Sequence, residues 1–212
     1  MTEFDGITDD ESLRLIMQSP VNASKYLGFV WRLIYSILKW PQGEEVFWQR
    51  RKSAKYLQDE MVPLAYFVRD FFAYQSDVAI SWVSGSQQHD AVVTPKTRDV
   101  GFIEITCLQD YRERKRRDEM LAFGEYRASS CLDDEVERCR QLLKDVITNK
   151  SKKEYPQGTA LVIYSTESLG LPIFTDSICE VCTEQQEQLA QFQVVCVRDA
   201  HRVHYERSLA PP

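Results

Sequence analysis

Glycine is scarce in this chain: there are eight in 212 residues, and none belongs to a glycine-rich loop of the kind that cradles nucleotide phosphates. Hydrolysis of nucleoside triphosphates is therefore not expected. The Ser-Gly-Ser run at 84–86 is predicted to be a turn, without the strand–turn–helix surroundings of a serine nucleophile elbow. These absences argue against two large groups of hydrolases.

Long apolar runs and targeting signals are also lacking. The most apolar stretch, 26–40, is shorter than the roughly 20 residues that span a bilayer, and it contains Arg32 and Lys39. The first residues are acidic, unlike a secretory or mitochondrial signal. We therefore expect no membrane partner and an intracellular location, cytoplasmic or nuclear, in which the six cysteines are free thiols.

Positive charge is in deficit, with 26 Lys and Arg against 32 Asp and Glu and a net charge of −6. This balance argues against a protein that coats nucleic acid without specificity. It is compatible with a local basic surface around an acidic site. The chain is long enough, and at 43% hydrophobic apolar enough, to bury a sizeable core.

Helical periodicity dominates residues 1–75. We expect a short helix running towards Met17, a second that Asn22 or Ser24 can cap and Pro41 ends, and a third over 44–72 with a break near Pro63. Trp31, Trp40 and Trp48 of this region, like Trp82, are expected to pack in the core. The alternative is that exposed aromatic residues of this region form the face of a homodimer or bind a protein partner.

Beyond residue 76 the apolar period changes from helical to two, which indicates strands. The Thr-Pro-Lys run at 94–96 is predicted to begin a turn. The predicted strands cover 78–82, 89–93, 100–107, 159–164, 192–197 and 202–206, and the predicted helices cover 110–123, 134–149 and 176–189.

This order predicts an α/β fold in which a mixed sheet is flanked by helices. The strand 159–164 is almost wholly apolar, as expected of a central strand covered on both faces. We expect an N-terminal helical region, 1–75, and an α/β core, 76–212, that form one compact unit with the helix 44–74 packed on the core.

Two acids lie on neighbouring predicted strands, Asp90 at the start of DAVV and Glu104 inside GFIEIT. Because side chains on a strand alternate, Glu104 and Thr106 share a face. A carboxylate in an apolar strand costs free energy unless it is paired or binds a cation, so the two acids are a candidate divalent-metal site. The alternative is that Asp90 is a turn residue and Glu104 pairs with a nearby lysine or arginine.

This element order, with these two acids, resembles the PD-(D/E)xK, or restriction-endonuclease-like, nuclease superfamily over roughly residues 60–164. The resemblance implies a Mg²⁺- or Mn²⁺-dependent endonuclease that hydrolyses phosphodiester bonds in DNA or RNA, in which Asp90, Glu104 and the carbonyl of Ile105 hold the metal. Members of this superfamily often pair two subunits.

The same resemblance suggests further site residues. An acid from the helix before the sheet is common in the superfamily, and Glu60 or Asp59 could supply it. A polar residue from the following helix is also common, and Gln141 and Lys144 are the candidates.

Thr106 departs from the pattern, because the superfamily has lysine at that position. Loss of a comparable charge-stabilising donor lowers rates by about 10²–10³-fold. Known variants recruit the lysine from a nearby element, and Lys96, Lys115 or Lys144 could serve here. The alternative is a catalytically inactive nuclease-fold protein that binds nucleic acid or a protein partner.

A basic run follows the third strand of the meander, and the superfamily's geometry would bring it near a nucleic-acid backbone. Its alternative is a solvated helix with i,i+4 ion pairs. The run comprises Arg112, Arg114, Lys115, Arg116 and Arg117. A weaker candidate zinc or dithiol site is formed by Cys179, Cys182, His201 and His204.

Overall fold

A computed structural model describes residues 9–85, 87–109, 132–166 and 171–209, together with Lys115, Glu119 and Leu169. Its described strands form one mixed sheet whose spatial order is the chain order. Neighbouring strands are antiparallel except for the two parallel pairs β4–β5 and β5–β6. The strands are β1 (Val21–Asn22), β2 (Ala79–Trp82), β3 (Ala91–Thr97), β4 (Val100–Leu108), β5 (Thr159–Ser165), β6 (Val194–Arg198) and β7 (Val203–Ser208).

The helices lie on both sides of this sheet, which confirms the predicted α/β class. None of the described helices combines the length and the apolar composition needed to cross a bilayer. The helices are α1 (Asp10–Met17), α2 (Ala23–Leu38), α3 (Gly43–Trp48), α4 (Ser53–Tyr56), a π-helical turn (Leu57–Met61), α5 (Val62–Phe72), α6 (Leu132–Ser151) and α7 (Pro172–Glu184).

Each face of the sheet has its own core. The N-terminal helices cover the first face, where they pack on residues such as Ile80, Ile103 and Val162. α6 and α7 cover the second face, where they pack on residues such as Leu161 and Val195. All seven residues of β5 are buried, as the sequence predicts for a central strand.

Several local predictions are confirmed. The side chain of Asp9 accepts a hydrogen bond from the amide of Ser12 and caps α1, and Asn22 caps α2 through the amide of Ser24. The amphipathic helix predicted over 134–149 is α6.

Other local predictions need correction. The helix expected over 44–72 is interrupted at 49–52. The break expected near Pro63 takes the form of the π-helical turn, which ends two residues before this proline and continues directly into α5. The turn expected at 94–96 is absent because β3 continues to Thr97, and Arg98 and Asp99 with positive φ make the reversal. The predicted helix 110–123 lies outside the described residues, apart from Lys115 and Glu119.

Gly28 lies in the middle of α2, at an exposed position where an added Cβ would meet no atom within 4 Å. Gly28→Ala is therefore expected to raise the free energy of unfolding by about 0.5–1 kcal/mol, since alanine loses less backbone entropy in a helix. Urea denaturation of both proteins measures this. An unfolding free energy below that of the wild type would contradict the open space at this position.

Candidate functional site

The candidate site lies where β3 and β4 separate, beyond the pair Ala91 and Ile103, and we call this point the fork of the sheet. Their pairing at this end runs to Ala91 and Ile103, after which β4 continues to Leu108 beside β5. The amide of Asp90 donates to the Ile103 carbonyl at 2.8 Å. Its carboxylate accepts a hydrogen bond from the amide of Ile105 at 2.7 Å, so Asp90 is fixed at the fork of the sheet.

Three carboxylates are coupled electrostatically at this fork. Burial, together with the negative charges of Glu104 and Glu60, raises the pKa of Asp90 to about 7. Burial also raises the pKa of Glu60, and the charge of Glu104 adds to this effect. The three acids therefore share one site with excess negative charge.

Glu60 lies on the π-helical turn, which packs on the first face of the sheet. The indole N–H of Trp82, in β2, donates to the Glu60 carboxylate at 2.8 Å. The flanking Leu57 and Met61 are buried in the core, which fixes the turn against the sheet. Such π-helical turns inside α-helices occur frequently at functional sites. Of the two sequence candidates, Glu60 lies at the fork, whereas Asp59 pairs with Arg50.

Lys150 arrives from the second face, at the end of α6. Its ammonium Nζ lies 2.5 Å from Glu104 Oε1, and the two side chains are only 16% and 7% exposed. The hydroxyl of Tyr155 donates to the same carboxylate oxygen at 3.4 Å. Elements from both faces thus meet at the fork, where the half-buried Lys150 pairs with Glu104.

Sequence reasoning missed Lys150. The sequence feature that could have identified Lys150 is the periodicity of α6, whose buried residues Cys139, Leu143 and Ile147 recur every fourth position. Three residues beyond Ile147, Lys150 falls on the same face of the helix. A half-buried lysine on the apolar face of a helix is unusual, and that position distinguishes it from the exposed lysines that follow.

The other predicted site residues lie in different surroundings. Thr106 is half-buried and shares its strand face with Glu104 by alternation. Gln141 donates to Asp145 along α6, and Lys144 pairs with Glu184 of α7 at 2.9 Å. These two polar groups therefore bind partners on the helical layer.

The remaining candidate lysines also have their own neighbours. Lys96 packs along Gly101 and Gly158 at the β3–β4 turn. Lys115 is exposed and lies 3.8 Å from Glu119, an i,i+4 ion pair of the kind that the solvated-helix alternative predicts. The rest of the predicted phosphate-binding run, Arg112, Arg114, Arg116 and Arg117, lies outside the described residues.

The cysteine–histidine group has a structural explanation. His204 is buried between the Asp199 carboxylate, 3.1 Å from its Nε2, and the Thr175 hydroxyl, 2.8 Å from its Nδ1. Burial opposes ionisation of Asp199, but backbone amides of Arg202, His201 and Leu169 outweigh it and hold the pKa at about 2. This arrangement supports the loop after β5 and does not resemble a zinc site. The five cysteines in the described parts of the chain are free thiols.

The chemistry of the fork suits a hard cation, although its residues do not form a complete cage. Across the described ranges, no group of three or more His, Cys, Asp or Glu is arranged to hold a metal ion. Mg²⁺ and Mn²⁺ take oxygen ligands, and Mg²⁺ usually keeps several waters and binds through one or two carboxylates. Asp90, Glu104 and the Ile105 carbonyl provide such oxygens, and a cation would relieve the charge that raises the pKa of Asp90.

Comparisons with known proteins add no assignment. The sequence matches no family model, and neither a curated protein nor a solved structure was found to be similar to it.

Proposed function

We propose that this chain is a metal-dependent nuclease with a restriction-endonuclease-like core. Asp90 and Glu104 are its metal-binding carboxylates, and Lys150 replaces the lysine that is missing at Thr106. The contact between Lys150 and Glu104 carries this proposal, because it puts a half-buried ammonium beside the acid that the superfamily pattern pairs with lysine.

The topology supports the same reading. A helix that carries an acid precedes three antiparallel strands, and a helix then leads into a strand parallel to the third of them. This order supports the proposal, as do the places of the two acids, with Asp90 immediately before β3 and Glu104 inside β4.

The proposed reaction is hydrolysis of a phosphodiester. The bound cation would activate a water and neutralise charge on the phosphate. Lys150 donates hydrogen bonds to that water and to a non-bridging phosphate oxygen, where negative charge develops. The water oxygen bonds to phosphorus and its proton passes to solvent. The bond to the leaving ester oxygen breaks, and that oxygen takes a proton from solvent.

Two other side chains position this machinery. Tyr155 donates to Glu104 and restricts its rotation. Glu60, held by the indole of Trp82, adds negative charge that strengthens the attraction for a cation. Both are positioning residues, since each acts through the carboxylates at the fork.

One observation favours the alternative of an inactive nuclease-fold module. Lys150 already neutralises Glu104 directly, so a cation must compete with the ammonium for the same carboxylate. In an inactive protein this ion pair would be permanent, and the fork would be a stabilising feature beneath a binding surface for nucleic acid or protein.

Cleavage assays separate these possibilities. We expect wild-type protein with Mn²⁺ or Mg²⁺ to cleave at least one of single-stranded DNA, duplex DNA and RNA, and the Asp90→Ala/Glu104→Ala variant to cleave none. Circular dichroism establishes that the variant is folded. Equal cleavage by both proteins would contradict the proposed site, and no cleavage by folded wild type would favour the inactive module.

A further inference from the structure

The outer surface of α2 combines cations with aromatic rings. Three cations, Lys25, Arg32 and Lys39, recur at intervals of seven residues at exposed positions. Since seven residues make about two helical turns, they form one line along α2 with a spacing of about 10 Å. From residue 23 to residue 39 there is no aspartate or glutamate, in a chain whose net charge is −6.

An aromatic line runs beside the cationic line. Trp31 and Tyr35 are 41% and 61% exposed although both are large hydrophobic side chains. Their i,i+4 spacing makes them neighbours on the helix surface. Gly28 lies about one turn before Trp31 and two turns before Tyr35, and it leaves open space, since an added Cβ there would meet no atom within 4 Å. We call these six residues, with Gly28 included, the α2 stripe.

The packing of α2 into the core does not use this surface. The opposite side of α2, which includes Tyr26, Val30, Leu33 and Ile37, already provides its packing into the core. Exposed aromatic rings beside a line of cations are what proteins use to bind single-stranded nucleic acid, where bases stack on the rings and phosphates contact the cations. A duplex hides its base faces and would leave the rings without a partner.

We propose that the α2 stripe binds single-stranded nucleic acid, with phosphates along Lys25, Arg32 and Lys39 and bases on Trp31 and Tyr35. The proposal deepens the proposed nuclease function by naming the form of its substrate, and it rests on that function only for the choice of a nucleic acid as the polyanion. The stripe lies on the helical layer that also carries Glu60 to the fork, so a strand held there lies on the same side of the sheet as that acid.

Gly28 permits a matched test. The side chains introduced by Gly28→Glu and Gly28→Gln differ by one charge, and both would extend into open space. Binding of fluorescein-labelled oligo(dT) is measured by anisotropy in EDTA, where cleavage is prevented. We expect Gly28→Glu to bind about 10-fold more weakly than Gly28→Gln, because its carboxylate repels the phosphates. Equal affinities of these two variants would overturn the proposal.

The aromatic and cationic lines are tested separately. Trp31→Ala/Tyr35→Ala is expected to weaken binding by about 10-fold or more through lost stacking, whereas the exposed-ring control Tyr74→Ala leaves it unchanged. Lys25→Gln/Lys39→Gln is expected to reduce the slope of log affinity against log salt by about 1.4. The control variant Lys152→Gln/Lys153→Gln changes two exposed lysines in the turn after α6 and leaves the slope unchanged. An equal reduction of the slope by both double variants would overturn the proposal.

Further outcomes distinguish single-stranded nucleic acid from other ligands of the α2 stripe, and the stripe proposal from the nuclease proposal. Tighter binding to duplex DNA, binding to phosphatidylserine vesicles without binding to oligo(dT), or a dimer that Trp31→Ala/Tyr35→Ala dissociates would each overturn the single-strand assignment. Stripe-dependent binding without any metal-dependent cleavage would support the stripe and contradict the nuclease. Metal-dependent cleavage, together with equal affinities of Gly28→Glu and Gly28→Gln for oligo(dT), would support the nuclease and contradict the stripe.

Discussion

Lys150→Gln is expected to lower the rate of phosphodiester cleavage by about 10²–10³-fold, with little change in substrate affinity. The Lys150 ammonium acts on charge that appears in the transition state, so its loss affects the chemical step more than binding. Single-turnover rates with saturating enzyme and Mn²⁺ measure that step directly, and filter binding in EDTA measures affinity.

Two further variants make this prediction specific. Lys144→Gln removes the same charge from the same helix, where the lysine pairs with Glu184, and we expect a rate within about threefold of wild type. Adding Thr106→Lys to Lys150→Gln restores a lysine on the strand face of Glu104 and should recover part of the lost rate. A Lys150→Gln enzyme that cleaves as fast as wild type would remove Lys150 from the mechanism.

The second large effect concerns Asp90, whose carboxylate is buried among like charges. Burial, Glu104 and Glu60 raise its pKa in the folded protein to about 7, above the ordinary value near 3.8. A group whose pKa is raised on folding favours the folded state at low pH, and this contribution is lost as pH rises towards the folded pKa. Ionised Asp90 therefore destabilises the protein increasingly from about pH 4 to about pH 7.

Asp90→Asn is accordingly expected to raise the free energy of unfolding at about pH 8 by roughly 2–4 kcal/mol, since each pKa unit corresponds to about 1.4 kcal/mol. The gain should shrink as pH falls and approach zero near pH 4, while cleavage is lost at every pH. Urea denaturation across this range in EDTA measures the effect.

The matched control is Asp77→Asn, which neutralises an exposed aspartate in the turn before β2. Its effect should stay within about 0.5 kcal/mol at all pH values. If Asp90→Asn instead destabilised the protein equally at pH 5 and pH 8, the carboxylate would be a structural acceptor for the Ile105 amide. That result would contradict the claim that ionised Asp90 destabilises the folded protein.

The sequence predicted the parts of the fold that depend on period and composition. The all-apolar strand 159–164 is the buried β5, and the amphipathic helix 134–149 is α6. Asp90 and Glu104 could be paired from sequence because one begins an apolar segment and the other interrupts the next apolar strand of a meander.

The parts that were missed depend on packing between distant segments. β1 is two residues long and forms because Val21 lies opposite Ile80, a contact that local pattern does not show. The π-helical turn that presents Glu60 is fixed by its buried neighbours and by Trp82. Lys150 reaches Glu104 because α6 lies across the second face of the sheet, a placement that composition alone cannot give.

The most direct test of the central claim is calorimetric titration of Mn²⁺ into wild-type protein and into Asp90→Ala/Glu104→Ala. The proposed site predicts saturable binding to wild type that disappears in the double variant. It also predicts that Lys150→Gln binds Mn²⁺ at least as tightly as wild type, because the competing ammonium is gone. Two results would contradict a metal site at the fork of the sheet. One is equal Mn²⁺ binding by wild type and by the folded double variant. The other is that wild type, the double variant and Lys150→Gln all fail to bind Mn²⁺.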